Sequence, residues 1–199
     1  MRAPLEPRGF SRPACKTVIS GMSSDKEQAI RPWQRDIYSV FKAANIQHVC
    51  HVPDGGHRGL IDLCTDDAEI GTTVLTTEEE GVGLAAGLFL GGQRSVLLMQ
   101  SSGVGNCLNL FTLAENCRLP LVLLVTMRGE FAEFVPWQIP MGKRAGAALE
   151  LMGFDVFRAE DSATVGDICA GAIDQAFYSS RCTAVLLSQR LIGRKNWSK

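Results

Sequence analysis

Apolar residues recur along this chain at two spacings, and the chain switches between them many times. From 24 to 45, Ile30, Trp33, Ile37, Val40 and Phe41 fall three and four residues apart, the pattern of one buried helical face. Ser24 and Glu27 have capping-box spacing and predict its start. "QHVCHV" then reads as a strand ending in the turn "PDGG", with a short helix over 57–64 behind it. "TTVLTT" is a β-branched strand that runs straight into Glu78, Glu79 and Glu80, with Glu78 as its last residue. A helix over 80–90, the strand "RSVLLMQ", a turn at "SSGVGN", a helix over 107–115 and the wholly apolar strand "PLVLLVTM" follow. "RGEFAEFVPWQIP" breaks the pattern: it is irregular, yet rich in aromatic residues. A helix over 143–152, the strand "FDVFRA", a helix over 163–178 and the strand "TAVLLS" complete the domain.

Strands alternating with helices, several of them apolar on both faces, predict an α/β fold: a mostly parallel sheet flanked by helices on both faces. Right-handed crossovers then bring every strand's C-terminal end to one edge, where open α/β sheets bind their ligands. "PDGGH", "TTEEE", "QSSGVGN" and "MRGEFAEF" all fall on that edge.

Length and composition narrow the class. At 199 residues the chain holds one domain, expected over 23–190. Residues 1–22, rich in Pro and Arg without periodicity, read as a disordered or non-structural N-terminal segment, and 191–199 as a tail. A net charge of −1 gives no reason to expect nucleic acid or an anionic membrane as partner. The longest apolar runs are strand-sized, too short for a membrane span. Seven cysteines, an odd number with no CxxC pair, fit a reducing, cytoplasmic setting, with Cys50, Cys107, Cys169 and Cys182 acting as small hydrophobes. His48, His51 and His57 lie close in sequence, but an extended chain puts His48 and His51 on opposite faces, so no metal site is expected.

Known glycine-rich motifs fit poorly. "GVGNCL" supplies Gly103 and Gly105 of a dinucleotide turn, but Leu108 stands where a third glycine belongs. Neither a phosphate loop nor a nucleophile elbow occurs. The three glutamates are more informative. Acidic residues suit a helix N-terminus, which accounts for two of them facing solvent. Behind them stand Gly81, Gly83, Ala85, Ala86 and Gly87. Interior glycines each cost a helix about 1 kcal/mol against alanine, so a packing demand must offset them. A carboxylate facing a closely approaching partner surface fits that demand.

"TTEEEGVGLAAG", "LLMQSSGVGN" and "MRGEFAEFVPWQIPMG" together resemble the pyrimidine-binding domain of thiamine diphosphate-dependent decarboxylases, above all those acting on sulfopyruvate and phosphonopyruvate. The resemblance runs from Trp33 to Leu187. It implies that Glu78 hydrogen-bonds N1′ of the cofactor's aminopyrimidine, and that Pro53, Thr77, Gly103 and Asn106 occupy cofactor-binding positions. It places Asp54, Gly55, His57 and Gln100 beside the substrate, with Arg128 available to a substrate anion. Where the family carries Ser or Asp in the substrate loop, this chain has Gly55, which leaves substrate choice open. The family also holds the diphosphate through Mg²⁺ on a GDG motif, and no GDG occurs here. The resemblance therefore implies half an active site: the alpha subunit of a hetero-oligomeric 2-oxo acid decarboxylase, completed by a beta subunit that carries GDG and Mg²⁺. A split carboligase and a non-catalytic module of the same fold are the alternatives.

Overall fold

The computed structural model describes residues 30–193, so the Ser24–Glu27 cap, the N-terminal segment 1–22 and most of the tail lie outside the described residues. Its elements in chain order are α1 (Pro32–Ala43), β1 (His48–His51), α2 (Arg58–Thr65), β2 (Gly71–Val74), α3 (Glu78–Leu90), β3 (Ser95–Gln100) and α4 (Ser101–Asn116). The second half holds β4 (Leu121–Thr126), α5 (Gln138–Gly142), α6 (Ala145–Leu151), β5 (Asp155–Ala159), α7 (Val165–Ser179), β6 (Cys182–Leu187) and α8 (Gln189–Ile192).

The six strands form one sheet in the order β2-β1-β3-β4-β6-β5, and every pairing is parallel. Strand periodicity explains the two-sided core. Val96 and Leu98 of β3 join Val122 and Leu124 of β4 under α1, α2 and α7. Leu97 and Met99, one residue out of phase, join Leu123 and Val125 under α3, α4 and α6. The central strands β4 and β6 are buried throughout, which is why their sequences are continuously apolar.

Several boundaries differ from the sequence reading. Helix α1 starts at Pro32, whose fixed φ and missing N–H suit a first helical position. Strand β2 stops at Val74, so Glu78 opens α3 and is not a strand residue. "SSGVGN" is not a turn: α4 begins at Ser101 directly off β3, and Gly103 and Gly105 are helical. At the far end Ser188 caps α8 by accepting from the Arg190 N–H at 3.2 Å, and Leu191 is buried in the core, so the fold continues past residue 190.

Candidate active site

Strand β1 sends its connection outward to β2, while β3 sends its own the other way to β4. The strand order reverses between them, which opens a crevice at their C-terminal ends. Asp54, from the loop after β1, occupies this crevice. Its Oδ2 accepts from Thr126 Oγ1 at 2.6 Å and from the Gly56 N–H at 3.2 Å, and its Oδ1 accepts from Gln100 Nε2 at 3.1 Å. Burial alone would raise this carboxyl; the neighbouring His57 and these hydrogen bonds outweigh it and hold the group below the usual carboxylate range. Gln100 is itself fixed by Ser102 Oγ, which donates to Gln100 Oε1 at 3.1 Å.

The loop can make this turn because Gly56 is small. A Cβ there would lie 2.8 Å from Thr126 Cγ2 and 2.9 Å from Asp54 Oδ2. From α1, Gln34 Nε2 donates to the Gly56 carbonyl at 3.1 Å and ties the loop down. Pro53 and Gly55 lie exposed on its outer side.

His57, expected beside the substrate, lies next to Asp54 but has no exposed surface toward the crevice. It is fully buried at the start of α2, with Nε2 3.1 Å from the Leu124 carbonyl and 3.3 Å from the Met99 carbonyl. Carbonyls only accept, so Nε2 carries the hydrogen, and Nδ1 has no partner. Burial pushes its pKa down, outweighing the opposing pull of the Asp54 carboxylate and the two carbonyls. His57 braces β3 and β4 from below.

Glu78, the first residue of α3, lies half-buried across from α4. Asn106 Nδ2 donates to Glu78 Oε2 at 3.0 Å, and Oε1 has no hydrogen-bond partner among the described residues. Gly103 makes room for this carboxylate: a Cβ there would fall 2.5 Å from Glu78 Cδ and 2.6 Å from Oε1. Thr77 precedes it in extended conformation. Glu79 and Glu80 are exposed, and Glu80 Oε2 accepts from the Thr76 N–H at 2.8 Å, an ordinary contact at a helix start. Thr76, Thr77, Glu79, Glu80, Asn106 and Asn109 line the cleft between α3 and α4.

The small residues of α3 divide by face. Gly81 faces inward, where a Cβ would stand 2.5 Å from Leu97 Cδ1, so it serves the chain's own core and not a partner. Gly83 and Gly87 face open space, with nothing within 4 Å of a Cβ. Leu90 continues that open side at 75% exposure.

Arg128 is not available to a ligand in the way its position in the sequence suggested. Its Nε and Nη2 donate to Glu133 Oε2 and Oε1 at 2.7 and 2.6 Å, a bidentate pair within the loop after β4. Arg128 first, and then the Val135 and Gly129 N–H groups, pull the Glu133 carboxyl down to about 2. Gln189 braces the same loop, accepting from the Glu130 and Phe131 N–H groups at 2.9 Å and donating to Glu133 at 3.0 Å. Thr126, Glu133 and Gln189 were missed from sequence. A single threonine closing an apolar strand carries no signal of the carboxylate it will meet.

Among the described residues no group of three or more His, Cys, Asp or Glu could hold a metal, and His48 bonds Thr73 Oγ1 at 2.8 Å. No described helix is long and apolar enough to cross a membrane. Cys50, Cys64, Cys107, Cys169 and Cys182 are buried free thiols; burial raises Cys50 and Cys169 to about 12.

No family model matches the sequence. It is 32% identical over 152 residues to the sulfopyruvate decarboxylase subunit alpha of Methanothermobacter thermautotrophicus, covering 76% of this chain and 92% of that one. It is 38% identical over 108 residues to the sulfopyruvate decarboxylase subunit alpha of Methanocaldococcus jannaschii, covering 54% of this chain and 64% of that one. Among solved structures, a 2-oxoglutarate:ferredoxin oxidoreductase from Magnetococcus marinus superposes with a TM-score of 0.64 at 10% identity. That match covers 80% of this chain and 29% of the other, and it shows a shared fold alone.

Proposed function

This chain belongs to the family of sulfopyruvate decarboxylase alpha subunits, and from that premise we propose that it is the pyrimidine-binding half of a thiamine diphosphate-dependent decarboxylase of a 2-oxo acid bearing a sulfonate or phosphonate. The observation that carries this reading is the Glu78–Asn106–Gly103 arrangement. An aminopyrimidine needs a carboxylate that is held from one side and open on the other. Glu78 offers that: Asn106 holds Oε2, and Oε1 has no partner among the described residues. The space that a Cβ at residue 103 would fill is the space the carboxylate uses.

The chemistry that thiamine diphosphate supplies when bound is an electron sink for the pair left behind as CO₂ departs. What this chain adds is control of protons and orientation. Glu78 would share a proton with N1′ of the aminopyrimidine, and Asn106 fixes which oxygen does so. Thr77 sets the carboxylate at the mouth of the cleft, and Pro53 lies on the rim of the crevice beyond. Asp54, ionised and held by Gln100 and Thr126, presents fixed polarity to the 2-oxo acid at the crevice. The diphosphate and its Mg²⁺ fall to a partner subunit carrying GDG, a motif this sequence lacks.

Reconstitution tests the proposal. The chain mixed with the diphosphate-binding subunit, thiamine diphosphate and Mg²⁺ should release CO₂ from sulfopyruvate, and either chain alone should not. Full release by this chain alone would contradict the division of the site.

A further inference from the structure

The stretch "FAEFVPW", Phe131–Trp137, lies in the loop after β4 and carries one charge, that of Glu133. A loop made for water turns its carboxylate out and its aromatic rings in. This loop does the reverse. The Glu133 side chain is only 3% exposed, while Phe131, Phe134 and Trp137 all stand exposed, Trp137 to 77%. Single apolar residues on a surface need no explanation, but three aromatic rings on one short loop form a patch.

The inversion is held in place from behind. Besides its pair with Arg128, Glu133 accepts from the Gly129 and Val135 N–H groups at 3.1 and 3.0 Å. Gln189 ties the loop to α8, and its own N–H donates to Glu130 Oε2 at 3.2 Å, while Glu130 Oε1 pairs with Arg158 at 2.8 Å. Guanidinium groups brace two of the rings: Arg190 stands 5.0 Å from the Phe131 centroid and Arg128 5.9 Å from that of Phe134. Ala132 is held at φ 49°, a left-handed conformation that alanine adopts only at a cost. A surface fixed this firmly loses little freedom on binding.

Position says what covers the patch. Helix α5 follows Trp137 at once and packs on α4, with Met141 Sδ 3.4 Å from where a Cβ at Gly105 would stand. The next residue, Asn106, holds Glu78, and α4 packs on its other side against α3. The loop and the Glu78 cleft are therefore neighbours along one continuous surface. We propose that the Phe131–Trp137 loop is the seat of the diphosphate-binding subunit, with Trp137 entering an apolar pocket on it. This rests on the decarboxylase reading above: a subunit that closes over Glu78 and Asn106 meets this loop next. A second copy of the chain seated there would shut that subunit off the cleft. Lys143 and Arg144 are exposed just past α5, so carboxylates suit the rim of the partner's pocket. Leu151, by contrast, is exposed at the opposite edge of the sheet, shortly before β5.

The test titrates the diphosphate-binding subunit into the full chain by calorimetry, with thiamine diphosphate and Mg²⁺ present, and assays the same pair for CO₂ release. Trp137→Ala should raise the Kd of the pair about thirtyfold or more, the scale of a lost aromatic anchor. Phe134→Ala should act in the same direction, and Leu151→Ala should leave Kd within about twofold. Because Trp137 is exposed, its variant should melt with the wild-type chain. With the partner in large excess its kcat should return to within about threefold of wild type. An unchanged Kd in Trp137→Ala, or an equal loss in Leu151→Ala, overturns the docking surface and leaves the decarboxylase reading standing, since the wild-type pair still assembles and turns over. An effect of Trp137→Ala confined to self-association of this chain, read by sedimentation, gives the patch to a second copy and also overturns it. A wild-type chain that takes up no partner and releases no CO₂ overturns both.

Discussion

Gly103 and Glu78 occupy one space: a Cβ added at residue 103 would lie 2.5 Å from Cδ of the glutamate and 2.6 Å from its Oε1. Two helices from different parts of the chain are thereby coupled at the mouth of the cleft. The neighbour is a movable carboxylate and not backbone, so a substitution at Gly103 displaces chemistry before it displaces the fold.

Gly103→Ala accordingly separates stability from activity. Alanine is better than glycine inside a helix by about 1 kcal/mol, which offsets the crowding. The variant should melt within a few degrees of wild type, yet the reconstituted enzyme should lose about tenfold or more of its kcat because Glu78 is turned aside. Melting by circular dichroism and CO₂ release from the same preparation check both halves.

The two faces of α3 predict opposite outcomes for similar changes. Gly81→Leu forces a side chain into Leu97 and Leu75 and should destabilise the chain by roughly 1–3 kcal/mol. Gly83→Leu meets open space and should leave the chain's own stability unchanged or slightly raised, while weakening assembly with the partner. Denaturant melts of the isolated chain, beside co-purification of the pair, distinguish the two. Normal assembly by Gly83→Leu would place the interface elsewhere.

The Arg128–Glu133 pair gives the loop after β4 an acid dependence. Glu133 has a folded pKa of about 2 against an ordinary value of 4.5, so its folded form is depressed. Its contribution is fully present above pH 4.5 and is lost as pH falls toward about 2. Glu133→Gln should lower stability at neutral pH by roughly 1.5–3 kcal/mol, and the difference from wild type should shrink across that window. Melts in steps from pH 7 to about pH 2.5 measure this; a difference that stays constant would contradict it.

Much of the fold was legible because sheet and helix periodicities differ and several strands are apolar on both faces. Met99 and Leu98, on adjacent positions and opposite faces, illustrate how directly alternation translated into two layers. The readings that failed depended on contacts distant in sequence. "SSGVGN" resembled a turn because its glycines suggested backbone freedom, whereas Gly103 is small to admit Glu78 from another helix. Gly81 resembled a partner-facing residue, but its reason is Leu97. His57 was expected beside the substrate because it follows a polar turn, yet the turn buries it behind Asp54, where Nε2 meets the Met99 and Leu124 carbonyls. Arg128 was read as available because its partner, Glu133, lies in a stretch without periodicity.

The most direct test of the account compares Glu78→Gln, Glu79→Gln and Glu80→Gln, each assembled with the partner at saturating thiamine diphosphate and Mg²⁺. Glu79 and Glu80 are exposed, and Glu80 meets only the Thr76 N–H, so their variants should stay within a few-fold of wild-type kcat. Glu78→Gln should fold and assemble but lose about 10²-fold or more, the scale of a missing acid–base contact. Equal, small effects at all three positions would reduce the cluster to charge at a helix N-terminus and contradict the assignment of Glu78.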